Sequence, residues 1–344
     1  MRIRVAVILG VTGQDGSYLA DLLLSKLNYK VIGVIRRSST TITGRVKHLL
    51  GHRDFSLFQA DICDLVSLIK LFDSVKHYGY IEVYNLAAQS QVHVSFGQPE
   101  YTSDVNALGP LRILECIRLL NIEKKVRLFH ASTSELFGKV CETPQKETTV
   151  FNPRNPYAAG KLYAYWIMRN YRDTYGIFAC NGIMFSHESE RRGEDFVTRK
   201  ITKAVNKIYT DANFVLEVGN INAKRDWGHA EDFVNAMCLM LQHNVPDDYV
   251  LSSEENHTVR EFIEKAFHCK GHTLSWSGSG LDEIATDESG RVVVRIDPKF
   301  YRPAEVDELL GDSTKARNTL GWIRKHTFDS IVSGMVENDS NMLD

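Results

Sequence analysis

Short apolar segments alternate with longer segments of helical periodicity through the first half of the chain. The apolar segments, which predict strands, are Val5–Leu9, Val31–Ile35, Phe55–Gln59, Ile81–Leu86, Arg127–Ala131 and Ala179–Phe185. The helical segments between them are Ser17–Asn28, Leu65–His77, Tyr101–Leu120 and Pro156–Tyr175. Apolar strands separated by helices are typical of a parallel sheet that is buried on both faces. The sequence therefore predicts an α/β fold built on a doubly wound parallel sheet.

The pattern changes after residue 185. Shorter helices and strands are then interrupted by charged and polar segments at 188–200, 220–232 and 286–291. We expect residues 1–185 to form a Rossmann-like domain, to which part of 225–252 returns. Residues 186–344 are expected to form mainly a smaller α/β domain over the carboxyl edge of the sheet.

Charge and cysteine content exclude several classes of function. The chain has 41 basic and 43 acidic residues, a net charge of -2, which does not indicate a nucleic-acid surface. Its six cysteines include no C-x-x-C pair, which argues against a zinc site or a disulfide framework. No apolar stretch approaches the about 20 residues that span a membrane. We expect a cytoplasmic protein with no bound metal, no nucleic-acid partner and no membrane association.

A glycine-rich turn directly follows the first predicted strand. Its residues are Gly10, Val11, Thr12, Gly13, Gln14, Asp15 and Gly16. Glycines in such a turn let the backbone approach a pyrophosphate and let helix and strand pack closely. The pyrophosphate would then meet the N–H groups and the positive dipole end of the first helix. We predict a dinucleotide site here, the alternative being a glycine-rich turn without a ligand.

The end of the second predicted strand distinguishes NAD from NADP. An NAD enzyme usually has an acidic residue there, which accepts from the ribose 2′-hydroxyl. This chain instead has Arg36, Arg37, Ser38 and Ser39. Two guanidinium groups and two hydroxyls suit a 2′-phosphate, so we predict NADP; the alternative is a solvated basic loop. Asp61 and Ile62 are predicted to flank the adenine, although Asp61 could equally cap a helix.

Tyr157 and Lys161 lie four residues apart on a predicted helix, so their side chains share one face. A lysine ammonium beside a phenol is expected to lower the tyrosine pKa toward neutrality. The phenolate could then take a proton from a substrate hydroxyl while a nicotinamide takes the hydride. The pair follows a strand that ends in Ser132, Thr133 and Ser134, at the edge where such sheets bind ligands.

Glu135, directly after those hydroxyls, bears on the type of reaction. A dehydrogenase or an epimerase needs the hydroxyl and the Tyr/Lys pair, but no carboxyl group. A dehydratase needs one further acid/base, which removes a carbon-bound proton and protonates a departing hydroxyl. The alternative is that Glu135 is a surface or helix-capping residue. The rival functions are a reductase or epimerase on the same scaffold and a non-catalytic NADP-sensing protein.

Several longer segments carry a family resemblance. They are 12–18, 36–39, 131–136, 144–149, 161–166, 187–189, 196–200, 223–229, 301–303 and 305–307. In these the chain resembles the GDP-mannose 4,6-dehydratase family of extended short-chain dehydrogenases. The resemblance implies catalytic roles for Thr133, Glu135, Tyr157 and Lys161. Beyond the glycine turn and the Arg36–Ser39 loop, the cofactor contacts that it implies are Leu86, Ala87, Ala88, Gln89, Ser90, Tyr101, Tyr157, Lys161, His187 and Arg192. The implied substrate contacts are Ser90, Thr133, Glu135, Ser186, Val197, Lys200, Arg225, Arg302 and Glu305.

The same resemblance implies an activity. GDP-mannose would lose water and give GDP-4-dehydro-6-deoxy-mannose, by internal hydride transfer through tightly bound NADP. NADPH-dependent reduction of the 4-keto product to a 6-deoxy sugar would be a secondary activity. The domain at 186–344 would bind the nucleotide sugar. The chain would form a homodimer or homotetramer through the helices at 101–120 and 156–175, unless both helices only pack on the sheet.

Three positions depart from the family pattern. Phe137 stands where the family usually has tyrosine, Ser186 where it has asparagine and Glu190 where it has proline. We expect these departures to affect fine specificity and loop rigidity, but not the reaction class.

Overall fold

The computed structural model describes residues 4–26, 29–40, 42–301 and 308–341. The strands are β1 (Arg4–Leu9), β2 (Tyr29–Ile35), β3 (Phe55–Gln59), β4 (Ile81–Asn85), β5 (Val126–Ala131), β6 (Phe178–Met184), β7 (Ser186–Glu188), β8 (Leu216–Val218), β9 (Lys224–Arg225), β10 (Trp227–His229), β11 (Tyr249–Leu251), β12 (His257–Thr258), β13 (Ser275–Ser277), β14 (Ile284–Thr286) and β15 (Val292–Ile296). The α-helices are α1 (Gln14–Ser25), α2 (Leu65–Val75), α3 (Val92–Gly97), α4 (Pro99–Ser103), α5 (Gly109–Leu119), α6 (Pro156–Tyr175), α7 (Val197–Ile208), α8 (Ala230–Gln242), α9 (Val259–His268), α10 (Thr314–Leu320) and α11 (Phe328–Asn341). Short 3-10 helices cover Gly44–Leu49, Ser134–Leu136, Gly280–Asp282 and Pro298–Phe300.

A seven-stranded parallel sheet forms the centre of the molecule. Its strand order is β11-β6-β5-β4-β1-β2-β3, and all neighbours run parallel. The order extends one way from β1 to β3 and the other way from β4 to β6. The carboxyl ends of β1 and β4 therefore border a crevice, which is the usual ligand site of such sheets. The predicted doubly wound α/β fold is confirmed.

Helices cover both faces of this sheet. α1 and α8 pack on one face, and α2, α5 and α6 pack on the other. Alternate residues of β1 belong to the two layers: Ala6 and Ile8 face α1 and α8, whereas Val5 and Val7 face the opposite layer. Because both faces are covered, the strands are mainly apolar, as the sequence predicts. The exceptions include the buried polar residues Glu82, His130 and Asn181.

A smaller sheet lies in the part of the chain after β7. Its order is β13-β14-β15-β8, with β15 and β8 parallel and the other pairs antiparallel. α7, α9 and α11 pack beside it around Val205, Phe262 and Met335. Two elements of this half, α8 and β11, pack with the central sheet instead. The domain boundary at residue 185 stays a prediction.

The predicted helix Tyr101–Leu120 is helical from Tyr101 to Leu119, with a change of hydrogen-bond pattern inside it. α4 ends at Ser103, a π-helical segment covers Asp104–Leu108, and α5 begins at Gly109. Pro110, in the first turn of α5, accounts for this wider turn, because it has no N–H to donate to a carbonyl in the preceding turn.

Two further expectations concern the whole chain. Within the described residues, no helix combines the length and the apolar character that crossing a membrane requires. All the cysteines, at positions 63, 116, 141, 180, 238 and 269, carry free thiols.

Candidate active site

A cavity of about 650 Å³ opens at the carboxyl ends of β1, β4, β5 and β6. The opposite wall comes from α7 and from the segments around β8 and β10. The predicted site residues that line it are Asp15, Leu86, Ala88, Ser90, Thr133, Glu135, Tyr157, Lys161, Ser186, His187, Arg192, Val197, Lys200 and Arg225. The structure thus brings the four predicted catalytic residues together with residues predicted to contact cofactor and substrate.

Other predicted site residues lie beside this cavity or apart from it. Gly10, Thr12, Gly13, Gln14 and Gly16 form the turn and the first helical residues next to Asp15. Ala87 and Gln89 alternate along the chain with lining residues. Arg36, Arg37, Ser38 and Ser39 form an exposed loop after β2. Arg302 and Glu305 lie outside the described residues, so their substrate contacts stay predictions.

The glycine turn brings the start of α1 very close to the end of β1. Gly10 has a φ of +87°, which L side chains rarely adopt. A Cβ on Gly16 would lie 2.4 Å from the carbonyl oxygen of Gly10 and 2.6 Å from the Cα of Val11. The first turn of α1 therefore packs directly on the end of β1. Gly13 begins the helix without a side-chain cap, which suits an anion at the helix N-terminus.

Two residues predicted to contact the cofactor meet each other at the edge of the sheet. The Arg36 guanidinium donates a hydrogen bond of 2.7 Å to the hydroxyl of Tyr101, although they are 65 residues apart. Ser38 pairs its hydroxyl with that of Thr40, 3.1 Å away. The loop after β2 thus presents guanidinium and hydroxyl donors, and its exposed segment 36–39 contains no acid.

Asp61 and Ile62 have local roles in the structure. The Asp61 carboxylate accepts from the backbone N–H of Cys63, and α2 is capped by Asp64 instead. The helix-cap alternative for Asp61 is therefore wrong. Ile62 is buried, and its side chain occupies the space that a Cβ on Gly109 would enter. Contact of either residue with an adenine stays a prediction.

Asp15 and His187 form a buried ion pair that joins α1 to β7. The Asp15 carboxylate lies 2.9 Å from Nε2 of His187, whose Nδ1 lies 2.7 Å from the Phe185 carbonyl oxygen. Burial alone would raise the pKa of Asp15, but the charge and hydrogen bond of His187 outweigh it, so the pKa is lowered. Burial alone would lower the pKa of His187, and Asp15 reverses this, so that pKa is raised. The pair is therefore stable as carboxylate and imidazolium.

Tyr157 and Lys161 lie in the first two turns of α6, which has the bounds that the sequence predicts. Asn155 caps this helix, Pro156 is its first residue, and Gly176 ends it in the left-handed region with a φ of 66°. The Lys161 ammonium donates a hydrogen bond of 2.7 Å to the carbonyl oxygen of Ala131, at the end of β5. This contact ties the catalytic helix to the strand that carries the predicted hydroxyls.

The expectation that Lys161 lowers the pKa of Tyr157 toward neutrality is wrong, because that pKa is raised. Burial raises the pKa of Tyr157 to about 12, and the hydrogen bond with Thr133 offsets this only in part. The Lys161 Nζ lies 6.0 Å from the centre of the Tyr157 ring, because the ammonium is directed to Ala131. Burial also lowers the pKa of Lys161 to about 8. Both groups are therefore shifted toward their neutral forms.

Glu135 is half-buried and lines the cavity. Its backbone N–H donates to the Thr133 hydroxyl, 3.2 Å away, so the cap of the short 3-10 helix is Thr133. Its carboxylate Oε2 accepts from the Asn155 amide at 3.0 Å. The reading of Glu135 as a helix cap is therefore wrong. The sequence analysis did not identify Asn155; the Asn-Pro step before α6 signals a helix cap, but not the contact with Glu135.

The structure shows what surrounds the three residues that depart from the family pattern. Phe137 is fully buried between Phe151 and Phe185, with ring centres 5.3 and 6.1 Å away, so aromatic packing occupies its position. Glu190 accepts a hydrogen bond of 2.7 Å from the Tyr18 hydroxyl, which links the 190 loop to α1. Ser186 lines the cavity.

The cavity also has lining residues that the sequence analysis did not identify. Gln91 and Asp195 lie on opposite walls and are joined by a hydrogen bond of 2.8 Å. The ammonium of Lys200 lies 3.3 Å from the centre of the Phe300 ring. Each of them directly adjoins a segment that the family resemblance identified, Gln91 after Ser90, Asp195 before Phe196 and Phe300 before Tyr301, and this adjacency was the available signal.

Comparisons with known proteins agree with this arrangement. The sequence model of the family described as GDP-mannose 4,6 dehydratase matches residues 7–335. A GDP-mannose 4,6 dehydratase of Drosophila melanogaster is 52% identical over 349 residues, which cover 99% of this chain and 87% of the relative.

Solved structures of related fold are more distant in sequence. A dTDP-glucose 4,6-dehydratase from Bacillus anthracis in complex with NAD has a TM-score of 0.79 and 18% identity, covering 98% of this chain and 96% of that chain. RMD from Pseudomonas aeruginosa complexed with NADPH has a TM-score of 0.74 and 20% identity, covering 98% and 99%. These two likenesses confirm the fold. The family match over almost the whole chain, together with the fly relative, shows that this chain belongs to the GDP-mannose 4,6-dehydratase family.

Proposed function

We propose that this enzyme is a hydro-lyase that converts GDP-mannose into GDP-4-dehydro-6-deoxy-mannose and water, with NADP as cofactor. The observation that carries the proposal is that a phenol, Tyr157, and a carboxyl group, Glu135, line the same cavity. The phenol serves the oxidation of a sugar hydroxyl, and the carboxyl group serves the removal of water. An epimerase or a simple reductase needs only the first.

The residues present fit a bound NADP. The glycine turn lets α1 start directly against β1, since a Cβ on Gly16 would collide with the backbone of Gly10 and Val11, and the uncapped N-terminus of α1 suits a pyrophosphate. The 36–39 loop offers guanidinium and hydroxyl donors to a 2′-phosphate. Bound NADP would supply a hydride acceptor for C4, a hydride donor for C6 and a positive charge that favours a nearby phenolate.

Tyr157 takes the proton of the mannose C4 hydroxyl in this proposal. Thr133 is hydrogen-bonded to the phenol and supports its negative charge. Lys161 lies one helical turn after Tyr157, and its ammonium is held by the Ala131 carbonyl oxygen. There it adds a positive charge at pH values below about 8. Since the pKa of Tyr157 is raised to about 12 without ligand, formation of the phenolate depends on the bound charges.

Glu135 then performs the elimination. The ketone at C4 acidifies the neighbouring C5–H, and the Glu135 carboxylate removes that proton. The same group protonates the departing C6 hydroxyl, which leaves as water. After hydride is returned to C6, C5 gains a proton, which balances the one that Tyr157 took from the C4 hydroxyl. Tyr157 and Glu135 are thereby restored, and the overall reaction has no net oxidation.

Arg225 and Lys200 support binding of the nucleotide diphosphate on the opposite wall. Both line the cavity, and burial lowers the pKa of Lys200 to about 8. An anionic phosphate beside it would favour the charged ammonium again. Arg302 and Glu305 are proposed to complete this pocket, with Glu305 accepting from the two donors of the guanine edge.

Two substitutions test the division of labour between Glu135 and Tyr157. With GDP-mannose added, Glu135→Gln is expected to form reduced nicotinamide without loss of water, because oxidation at C4 needs no carboxylate. Tyr157→Phe is expected to form no reduced nicotinamide and to release no water. The rate of dehydration is expected to fall about 100-fold or more in each variant. Absorbance of the reduced cofactor and mass spectrometry of the product measure the two steps.

Both variants should bind GDP-mannose as the parent protein does, and this binding is the control. Full dehydratase activity of Glu135→Gln would remove Glu135 from the mechanism. If Tyr157→Phe forms reduced nicotinamide at the parent rate, Tyr157 is not the base that removes the C4 hydroxyl proton.

Assembly and location complete the proposal. α5 and α6 bury one side against the central sheet, while Leu119, Tyr163 and Trp166 stay exposed at 52%, 41% and 53%. An exposed aromatic and apolar face of this kind supports a homodimer or homotetramer. A cytoplasmic location is supported by the free cysteines.

A further inference from the structure

Asn155 is a buried amide that connects two parts of the active site. It is 7% exposed and precedes the first residue of α6. Its Oδ1 accepts a hydrogen bond of 2.8 Å from the N–H of Ala158, and its Nδ2 donates one of 3.0 Å to Oε2 of Glu135. One planar group therefore links the helix that carries Tyr157 to the carboxylate that lines the cavity.

The chemistry of the two bonds fixes the orientation of this amide. The Ala158 N–H can only donate, so the atom facing it must be the oxygen of Asn155. The NH₂ group then has to point away from the helix, toward Glu135. A flipped amide would place two donors against each other and an oxygen against a carboxylate, so the helix cap itself excludes the alternative.

This orientation has consequences for a carboxylate that removes a proton. A donor directed at Oε2 restricts rotation of the Glu135 side chain. Tyr157 lies two residues after Asn155 in the same helix, so its backbone is fixed relative to the same amide. The two reacting groups are thereby held in a constant mutual geometry, which general acid–base catalysis requires.

We propose that Asn155 is a positioning residue that orients the Glu135 carboxylate for the elimination step. This inference rests on the elimination role proposed above for Glu135. Capping alone would require only an acceptor, and aspartate or serine would supply one as well. The donor toward Glu135 is what an asparagine adds.

Asn155→Asp separates the two roles, because aspartate keeps the capping acceptor and replaces the donor by a second carboxylate facing Glu135. KM for GDP-mannose is expected to stay at the parent value, whereas repulsion between the two carboxylates is expected to lower the unfolding temperature. We expect kcat for loss of water to fall about tenfold or more. The acidic limb of the pH–rate profile is expected to move up by roughly one pH unit or more, since two carboxylates share the site.

Asn155→Ser is the second variant, for the case that the paired carboxylates prevent folding. Serine caps a helix, but its short side chain cannot also donate across to Glu135. Loss of water is expected to slow about tenfold, whereas reduced nicotinamide should form at the parent rate. Asn152→Asp, at an exposed asparagine whose amide donates to the Lys139 carbonyl, controls for an added charge in the same segment.

The outcomes separate this inference from the proposed function. Parent kcat and an unmoved pH profile in either Asn155 variant would overturn the positioning role. A lowered unfolding temperature with equal slowing of both steps would also overturn it, because that result describes a helix cap only. If Glu135→Gln in the same assay keeps full dehydratase activity, the elimination role itself is wrong, whatever the Asn155 variants do.

Discussion

At the scale of single residues, the site holds two ionisable groups in an environment that disfavours their charge. Burial lowers the pKa of Lys161 from 10.5 to about 8 and raises that of Tyr157 from 10.0 to about 12. The proposed mechanism uses the charged forms of both groups, so the folded environment disfavours the forms that act in catalysis. Strongly shifted pKa values of this kind are common at catalytic sites.

The lowered pKa of Lys161 makes a prediction about stability and pH. The folded pKa lies below the unfolded value, so the unfolded chain binds more protons between about pH 8 and pH 10.5. The penalty for burying the ammonium is fully present below pH 8 and disappears as the pH rises through that window. Relative to Lys161→Met, which does not titrate, the parent protein is expected to gain roughly 2–3 kcal/mol in unfolding free energy across the window.

Chemical denaturation at several pH values measures this difference. Lys124→Met, at an exposed lysine, controls for the general effect of removing a cation. A constant difference between the parent and Lys161→Met over the whole window would contradict the lowered pKa. The activity of Lys161→Met is expected to be lost at every pH.

The residue types at the site could be predicted from the sequence, but the pKa values of Tyr157 and Lys161 could not. The four-residue spacing of Tyr157 and Lys161 placed both on one helix face, as the structure confirms. The direction of the ammonium toward Ala131 could not be predicted, because it depends on how α6 docks against β5. The wrong sign for the pKa of Tyr157 follows from this, since burial and distance are tertiary properties.

At the scale of elements, the glycine turn sets how closely α1 approaches β1. A Cβ on Gly16 would meet backbone atoms of Gly10 and Val11, which cannot rotate away as a side chain could. The turn would have to open, and the approach of the pyrophosphate to the helix N-terminus would be lost with it.

Gly16→Ala is therefore expected to lower the unfolding free energy by roughly 1–3 kcal/mol. The Kd for NADP should rise about tenfold or more, which corresponds to at least 1.4 kcal/mol. Gly44→Ala is the matched control, because a Cβ there meets nothing within 4 Å, and it is expected to change stability by less than about 0.5 kcal/mol. Calorimetric titration with NADP measures the effect; unchanged affinity in Gly16→Ala would contradict this account of the turn.

Helices were predicted with their bounds, but a change of hydrogen-bond pattern within a helix was not. α6 has its predicted bounds because Asn155, Pro156 and Gly176 mark both ends by backbone chemistry. The helix predicted at 101–120 contains the π-helical segment Asp104–Leu108. Periodicity over a long window could not show this, because apolar residues recur at similar spacing on both sides of the segment.

At the scale of the whole molecule, the site is assembled from segments far apart in the chain. The Gln14 amide donates to the His187 carbonyl, 173 residues away, and its oxygen accepts from the Ser189 hydroxyl. The Asp15–His187 pair joins the same two segments. These contacts fix the glycine turn against the wall that carries Ser186 and Arg192.

Such long-range assembly explains which part of the site the sequence could predict. Thr133, Glu135, Tyr157 and Lys161 lie within about one strand–helix unit, and both local pattern and family resemblance identified them. Asn155 as a partner of Glu135, and Gln91 as a partner of Asp195, depend on packing between elements. No spacing in the chain encodes those contacts.

The central claim is that one molecule of sugar nucleotide is dehydrated by a hydride that leaves C4 and returns at C6. The most direct measurement is the reaction of GDP-mannose carrying deuterium at C4, followed by mass spectrometry and NMR of the product. The account predicts a product that has lost water and carries the deuterium on C6, with no added reductant. A product isomeric with the substrate, or one that has lost the deuterium to the medium, would contradict it.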